Sequence, residues 1–147
     1  MSAAFSWPVR VYYEDTDAGG IVFYANYLKF FERARTEWLR AAGIAQQQLA
    51  VETRRVFVVK STAIDYHAPA KLDDRLEITV MVEKLGRASV DFRQEAWLSG
   101  DGSGEKHLLC SGSIRVGCVD ADSLRPAPMP DSVSASLRNS MKQIDGK

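Results

Sequence analysis

The sequence predicts an α+β domain in which a curved antiparallel sheet wraps one long helix. Two observations carry this. Period-two apolar patterns mark one strand before, and four strands after, a single stretch of helical periodicity. That helical stretch is aromatic on more than one side, as a helix enclosed by a sheet would be.

The elements follow in order. Trp7, Val9, Val11 and Tyr13 alternate with Pro8, Arg10, Tyr12 and Glu14 and predict a first strand. Residues 15–20 break it, because Asp and Thr favour side-chain turns and Gly19-Gly20 reach backbone angles closed to other residues. A helix is expected from Ala25 or Asn26 to Ala42, with Asn26 a candidate cap and Gly43 a left-handed stop. Its apolar face is Tyr27, Leu28, Phe31, Ala34, Trp38, Leu39 and Ala42, widened by Phe30 and Ala41. Residues 44–50 predict a further helical turn or two.

Residues 55–67, 75–85, 88–98 and 106–119 are β-rich and read as the remaining strands. The connections are residues 68–74, the Gly86-Arg87 turn and an exposed glycine hairpin loop over residues 99–104. Hairpin-length connections predict that these four strands are neighbours in sequence order. Residues 120–131, with Pro126, Pro128 and Pro130, are expected to leave the sheet as an extended segment. Val133, Leu137 and Met141 at four-residue spacing predict a short terminal helix. The reading is one domain over residues 1–131 and a C-terminal tail over 132–147. Exposed sheet edges and an uncovered outer face predict a homo-oligomer.

At 147 residues, 46% apolar and 26% charged, the chain has the composition of an ordinary globular domain. Nineteen basic and nineteen acidic residues give no net charge, so no global field draws nucleic acid. The first residues lack the pattern of a secretory signal, and no apolar run approaches the roughly 18 residues of a membrane span. The expectation is a soluble cytoplasmic protein. Cys110 and Cys118, on one expected strand, are separated by eight steps of about 3.3 Å, too far for a disulfide. They read as reduced, buried thiols.

The candidate chemistry lies in residues 13–27, where a strand passes through acids and paired glycines into an aromatic helix. Asp17 sits shortly before the helix start, near backbone N–H groups suited to polarising a carbonyl. It can act as general base for water or as a nucleophile. An aspartate near glycines is also ordinary turn chemistry, and Asp15 and Glu14 compete for the role. Tyr24 stands at the helix entrance, where its main-chain N–H is the more useful group. His67 and His107 belong to no metal or triad spacing and are left out of the site. Lys60, Arg87, Arg93 and Arg115 are candidate phosphate contacts. The glycine loop is not a dinucleotide fingerprint, since it joins strand to strand.

The motif Tyr13-x-Asp15-Thr16-Asp17-Ala18-Gly19-Gly20-x-Val22, continued by Tyr27 and Phe31-Glu32-Arg33-Ala34-Arg35-Thr36-Glu37, resembles the hot-dog-fold acyl-CoA thioesterases. It is most similar to the tol-pal system-associated group, related to 4-hydroxybenzoyl-CoA thioesterase. Tyr66-x-Ala68-Pro69-Ala70-x-Leu72-Asp73-Asp74 and Cys118-Val119-Asp120 extend the likeness over nearly the whole domain. The resemblance implies five or six antiparallel strands around the helix, and dimers or tetramers that bind acyl-CoA between subunits. It implies a catalytic carboxylate at Asp17, a thioester oxygen held by the Tyr24 amide, and no metal or redox cofactor. One departure is Tyr24 itself, where tol-pal relatives usually carry histidine; an imidazole mechanism at that position does not apply to this chain. Two other functions stand beside hydrolysis: a non-catalytic module binding acyl-CoA or acyl carrier protein, and a dehydratase. The last would need a histidine paired with a carboxylate.

Overall fold

A computed structural model describes residues 5–99 and 105–146, the last five of these by backbone only. Its elements are β1 (Phe5–Arg10), α1 (Tyr27–Ala41), α2 (Gln46–Thr53), β2 (Arg55–Tyr66), β3 (Arg75–Leu85), β4 (Ser89–Ser99), β5 (Lys106–Asp120) and α3 (Asp131–Gly146). The strands form one antiparallel sheet in the order β1-β3-β4-β5-β2. This is the α+β architecture the sequence predicts. Beyond Ser99, the expected glycine hairpin loop lies outside the described residues.

The strand order corrects one expectation. β2 does not lie beside β3; it crosses to the far edge and pairs with β5. The reason is that residues 67–71 dock on other elements instead of turning back. His67 and Ala68 N–H groups both donate to Leu109 O, and Val22 N–H donates to Ala70 O. β2 is suited to an edge, being exposed through most of its length with Lys60, Ser61, Thr62 and Asp65 along it. β3 takes the interior place, with Leu76, Ile78, Val80 and Val82 alternately buried.

The buried face of α1 is Tyr27, Phe30, Phe31, Ala34 and Leu39. Leu28, Ala41 and Ala42, expected on the apolar side, are exposed, whereas Phe30, expected to widen it, is fully buried. The helix ends as its glycine predicts. Gly43 has φ of +87°, its N–H donates to Arg40 O and Ile44 N–H donates to Leu39 O. That is a Schellman ending, closed by Leu39 and Ile44, both buried.

Where α1 meets the sheet, Gly112 of β5 allows the close approach. A Cβ there would lie 2.5 Å from Ile64 Cδ1, 3.2 Å from Ala63 O and 3.4 Å from Phe31 Cε2. One polar tie crosses the same interface. The fully buried Gln94 donates to Phe31 O at 3.0 Å and to Thr79 O at 3.3 Å, and accepts from Arg35 at 2.7 Å.

The first strand is shorter than its alternation suggests. Val9 and Val11 are buried, but Trp7 is partly exposed and Tyr13 is 82% exposed, in a 3-10 turn over Tyr13–Asp15. The segment expected to run extended from residue 120 first turns over residues 121–123, with Leu124 N–H on Asp120 O and Leu124 at φ of +62°; beyond it Ala127 N–H donates to Cys118 O and Met129 N–H to Arg87 O. α3 then buries Val133 and Leu137 against the domain. Cys110 and Cys118 are buried free thiols.

Gly112→Val should overpack this contact and cost about 1–3 kcal/mol. The check is urea unfolding, where the midpoint should fall with the m-value unchanged. A wild-type midpoint would contradict the tight approach.

Candidate active site

The stretch between β1 and α1 folds as a tight hairpin. Thr16 and Val22 form an isolated bridge, Asp17 N–H donates to Ile21 O at 2.9 Å, and Gly20 N–H donates to Asp17 O at 3.0 Å. Gly20 takes φ of +80°, the left-handed bulge position that completes such a loop. The Asp17 side chain is part of the turn: its Oδ1 accepts from Gly19 N–H at 2.8 Å. Its other carboxylate oxygen has no hydrogen bond among the described residues. Asp17 is exposed and lines an open concavity of about 360 Å³ with Tyr13, Thr16, Ala18, Gly20 and Leu72.

Asp15, expected to compete with Asp17, is instead buried and fully engaged. One of its oxygens accepts from Tyr12 N–H at 2.8 Å and the other from Asn26 Nδ2 at 2.9 Å. Its carbonyl accepts from Phe23 N–H. Asn26 corrects the cap assignment: it makes no side-chain cap, because its backbone is already helical at φ −70° and ψ −20° and its side chain is turned to donate to Asp15. Glu14 is exposed and lines none of the concavities described here.

Tyr24 opens a 3-10 turn, Tyr24–Asn26, that runs straight into α1. The first amides of a helical segment have no acceptor within it, and no hydrogen bond from Tyr24 N–H occurs among the described residues. The carbonyl of Tyr24 accepts from Tyr66 Oη at 2.9 Å, and the two rings meet edge to face. Tyr24 lines a cleft of about 300 Å³ with Tyr27, Tyr66, His67 and Pro69. Asp17 and Tyr24 therefore share one segment, yet within a single chain they line separate concavities.

His67, left out by the sequence reading, lies in the Tyr24 cleft. Its Nε2 is 2.9 Å from Oγ of the buried Ser111. No spacing in the sequence announces this, since Ser111 is brought over by the β2–β5 pairing. His107 is exposed on β5 and lines none of these cavities. Of the candidate phosphate contacts, Arg115 is held by Asp91 through two bonds of 2.8 and 3.1 Å, and Arg93 lies near Glu95. Lys60 lays its aliphatic stem over Gly117. Arg87 and Lys60 form no ion pair among the described residues. Those residues also hold no acidic, thiol or imidazole cluster suited to a metal, and no helix long and apolar enough to cross a membrane.

Beneath the cleft, burial pushes the Tyr27 hydroxyl up to about 12, opposed in part by the Ala70 backbone. Burial likewise raises the Cys110 thiol to about 12. Both groups are kept in their neutral, protonated forms.

Comparison with known proteins adds a family. The thioesterase superfamily profile matches residues 19–105. The acyl-CoA thioesterase YbgC of Haemophilus influenzae is 44% identical over 139 residues, covering 95% of this chain and 98% of that protein. The acyl-CoA thioester hydrolase YbgC of an Escherichia coli O6:H1 strain is 44% identical over 91% of this chain and 96% of its own length. Among solved structures, a 4-hydroxybenzoyl CoA thioesterase mutant complexed with 4-hydroxybenzoyl CoA superposes with a TM-score of 0.84 at 21% identity, covering 92% of this chain and 99% of that one.

Folding holds Tyr27 and Cys110 above their ordinary values of 10.0 and 9.0. The stability this gives is fully present below about pH 9 and lost as pH rises towards about 12, because the unfolded chain ionises first. Urea midpoints should fall across that window, and Tyr27→Phe should flatten part of the fall. A wild-type midpoint that stays level would contradict the burial of these groups.

Proposed function

The chain belongs to the thioesterase superfamily, and from that premise we infer that it hydrolyses the thioester of an acyl-CoA to the free acid and CoA. The 44% identity to acyl-CoA thioesterases over nearly the full length supports the substrate class. We assign the chemistry to Asp17. The observation that carries this is its placement: one carboxylate oxygen is anchored by Gly19 N–H, while the residue stands exposed on an open concavity at the approach to a helix start.

In this reading the Tyr24 N–H, at the positive end of α1, donates to the thioester oxygen and stabilises the charge that develops there. Asp17 then acts by one of two routes. As nucleophile, its oxygen attacks the carbonyl carbon, the C–S bond breaks, CoA leaves as thiolate, and water opens the mixed anhydride. As general base, it takes a proton from water, whose oxygen attacks the same carbon. Both routes end at the same acid and the same thiol.

The separation of the Asp17 concavity from the Tyr24 cleft favours a site completed by a second copy of the chain. The exposed edge of β2 is available for such pairing, and we propose a homodimer or a tetramer built from it. Acyl carrier protein presents the same kind of thioester and is a second carrier to test. A CoA-ester substrate fits a cytoplasmic protein.

Asp17→Asn should lower kcat/KM for acyl-CoA hydrolysis by about 10²–10⁴-fold while circular dichroism stays native. The assay follows free CoA over short, long and aromatic acyl chains, with acyl carrier protein thioesters alongside. Near-normal turnover by the variant would remove Asp17 from the mechanism. No thioester cleavage by the wild-type protein would overturn the hydrolase reading.

A further inference from the structure

A different cavity, of about 90 Å³, lies between the C-terminal half of α1, α2, the inner face of the sheet and α3. One side of its wall is apolar, with Leu39, Phe92, Val116 and Leu137 all buried, while Glu32, Thr36 and Gln46 line the α1–α2 side. Arg35 interrupts that wall. One of its N–H groups donates to Gln94 Oε1 at 2.7 Å, and Gln94 is itself locked by its two carbonyl acceptors, so the guanidinium is fixed by a neutral partner.

Among the described residues no carboxylate forms an ion pair with Arg35, and no second hydrogen bond from it occurs. A guanidinium has more donors than that one bond uses. No sealed side-chain donor in the described structure lacks a partner, so the remaining N–H groups of Arg35, a residue of the cavity lining, are open to a ligand or solvent. Partly buried cations are normally paired. Here burial pulls the guanidinium pKa below its usual value, and only Glu32 pushes it back.

We propose that this cavity binds a short aliphatic carboxylate, with its head on Arg35 and its tail against the apolar wall. The head fits because a guanidinium grips a carboxylate through paired donors. The tail fits by size: an apolar cavity of roughly 150 Å³ accommodates the six carbons of benzene, and the smaller space here suits a three-carbon tail such as that of butyrate, whose carboxylate stays on Arg35. Glu32 at the same mouth disfavours a second negative charge, which selects a monoanion over phosphate. Arg35 is eight residues along α1 from Tyr27, about 12 Å of rise, so the site is separate from the Tyr24 cleft. It stands whether or not the thioester chemistry at Asp17 does.

The test is calorimetric titration of the full chain with butyrate, 1-butanol, phosphate and dodecanoate. Butyrate should bind saturably; butanol, phosphate and dodecanoate should not compete with it. Arg35→Gln should weaken butyrate at least about tenfold, the loss expected of a charge-assisted hydrogen bond. Val59→Trp, at a half-exposed position on the cavity wall, should block binding with Arg35 and the core intact. The proposal fails if folded wild-type protein ignores butyrate, if butanol binds equally well, or if Val59→Trp binds butyrate as the wild type does.

Discussion

The buried carboxylate of Asp15 is the constraint on which the site depends. It gathers the Tyr12 amide and the Asn26 side chain, one from each end of the segment between β1 and α1. A hydrogen bond to a charged group contributes about 1.5–3 kcal/mol, and leaving the buried acid unpaired would cost more than that. The segment is thus closed at its base. What projects from it is the hairpin tip, where Asp17 is held by Gly19 on one side only. Two aspartates two residues apart thereby stand in opposite surroundings, one spent on structure and the other, in the proposed mechanism, the reacting group.

The sheet serves this arrangement from the other side. Because β2 crosses to the far edge, residues 67–71 must pass beside the helix entrance, and their docking onto Val22 and Leu109 brings Tyr66 and His67 against Tyr24. The hydroxyl of Tyr66 takes the Tyr24 carbonyl, while the Tyr24 N–H keeps no partner within the described chain. A carbonyl satisfied and an amide unsatisfied at one residue is a suitable arrangement for receiving an oxygen that gains negative charge.

Much of this was legible in the sequence where local rules suffice. The alternation of β3, the glycine-ended α1 and the turn at Gly20 follow from side-chain period and backbone freedom, and the structure keeps them. What was hidden depends on partners distant in the chain. Adjacent strands usually pair, so the sequence order placed β2 beside β3; the docking that prevents it involves Leu109, more than forty positions away. Asn26 reads as a cap because its type favours caps, but the preceding 3-10 turn makes its backbone helical already, and its side chain turns to Asp15, eleven residues earlier. His67 gave no motif, for its neighbour Ser111 is supplied by β5. The Arg35 cavity is invisible for the same reason, its walls coming from six elements.

The proposed mechanism places a thioester carbonyl between Asp17 and the Tyr24 amide. A crystal structure of the Asp17→Asn protein with a bound acyl-CoA tests that placement directly. The carbonyl oxygen should accept a hydrogen bond from Tyr24 N–H, with the residue 17 side chain facing the carbonyl carbon and a second copy of the chain covering the sulfur. A thioester bound away from the α1 entrance, with Tyr24 N–H turned to solvent, would contradict it.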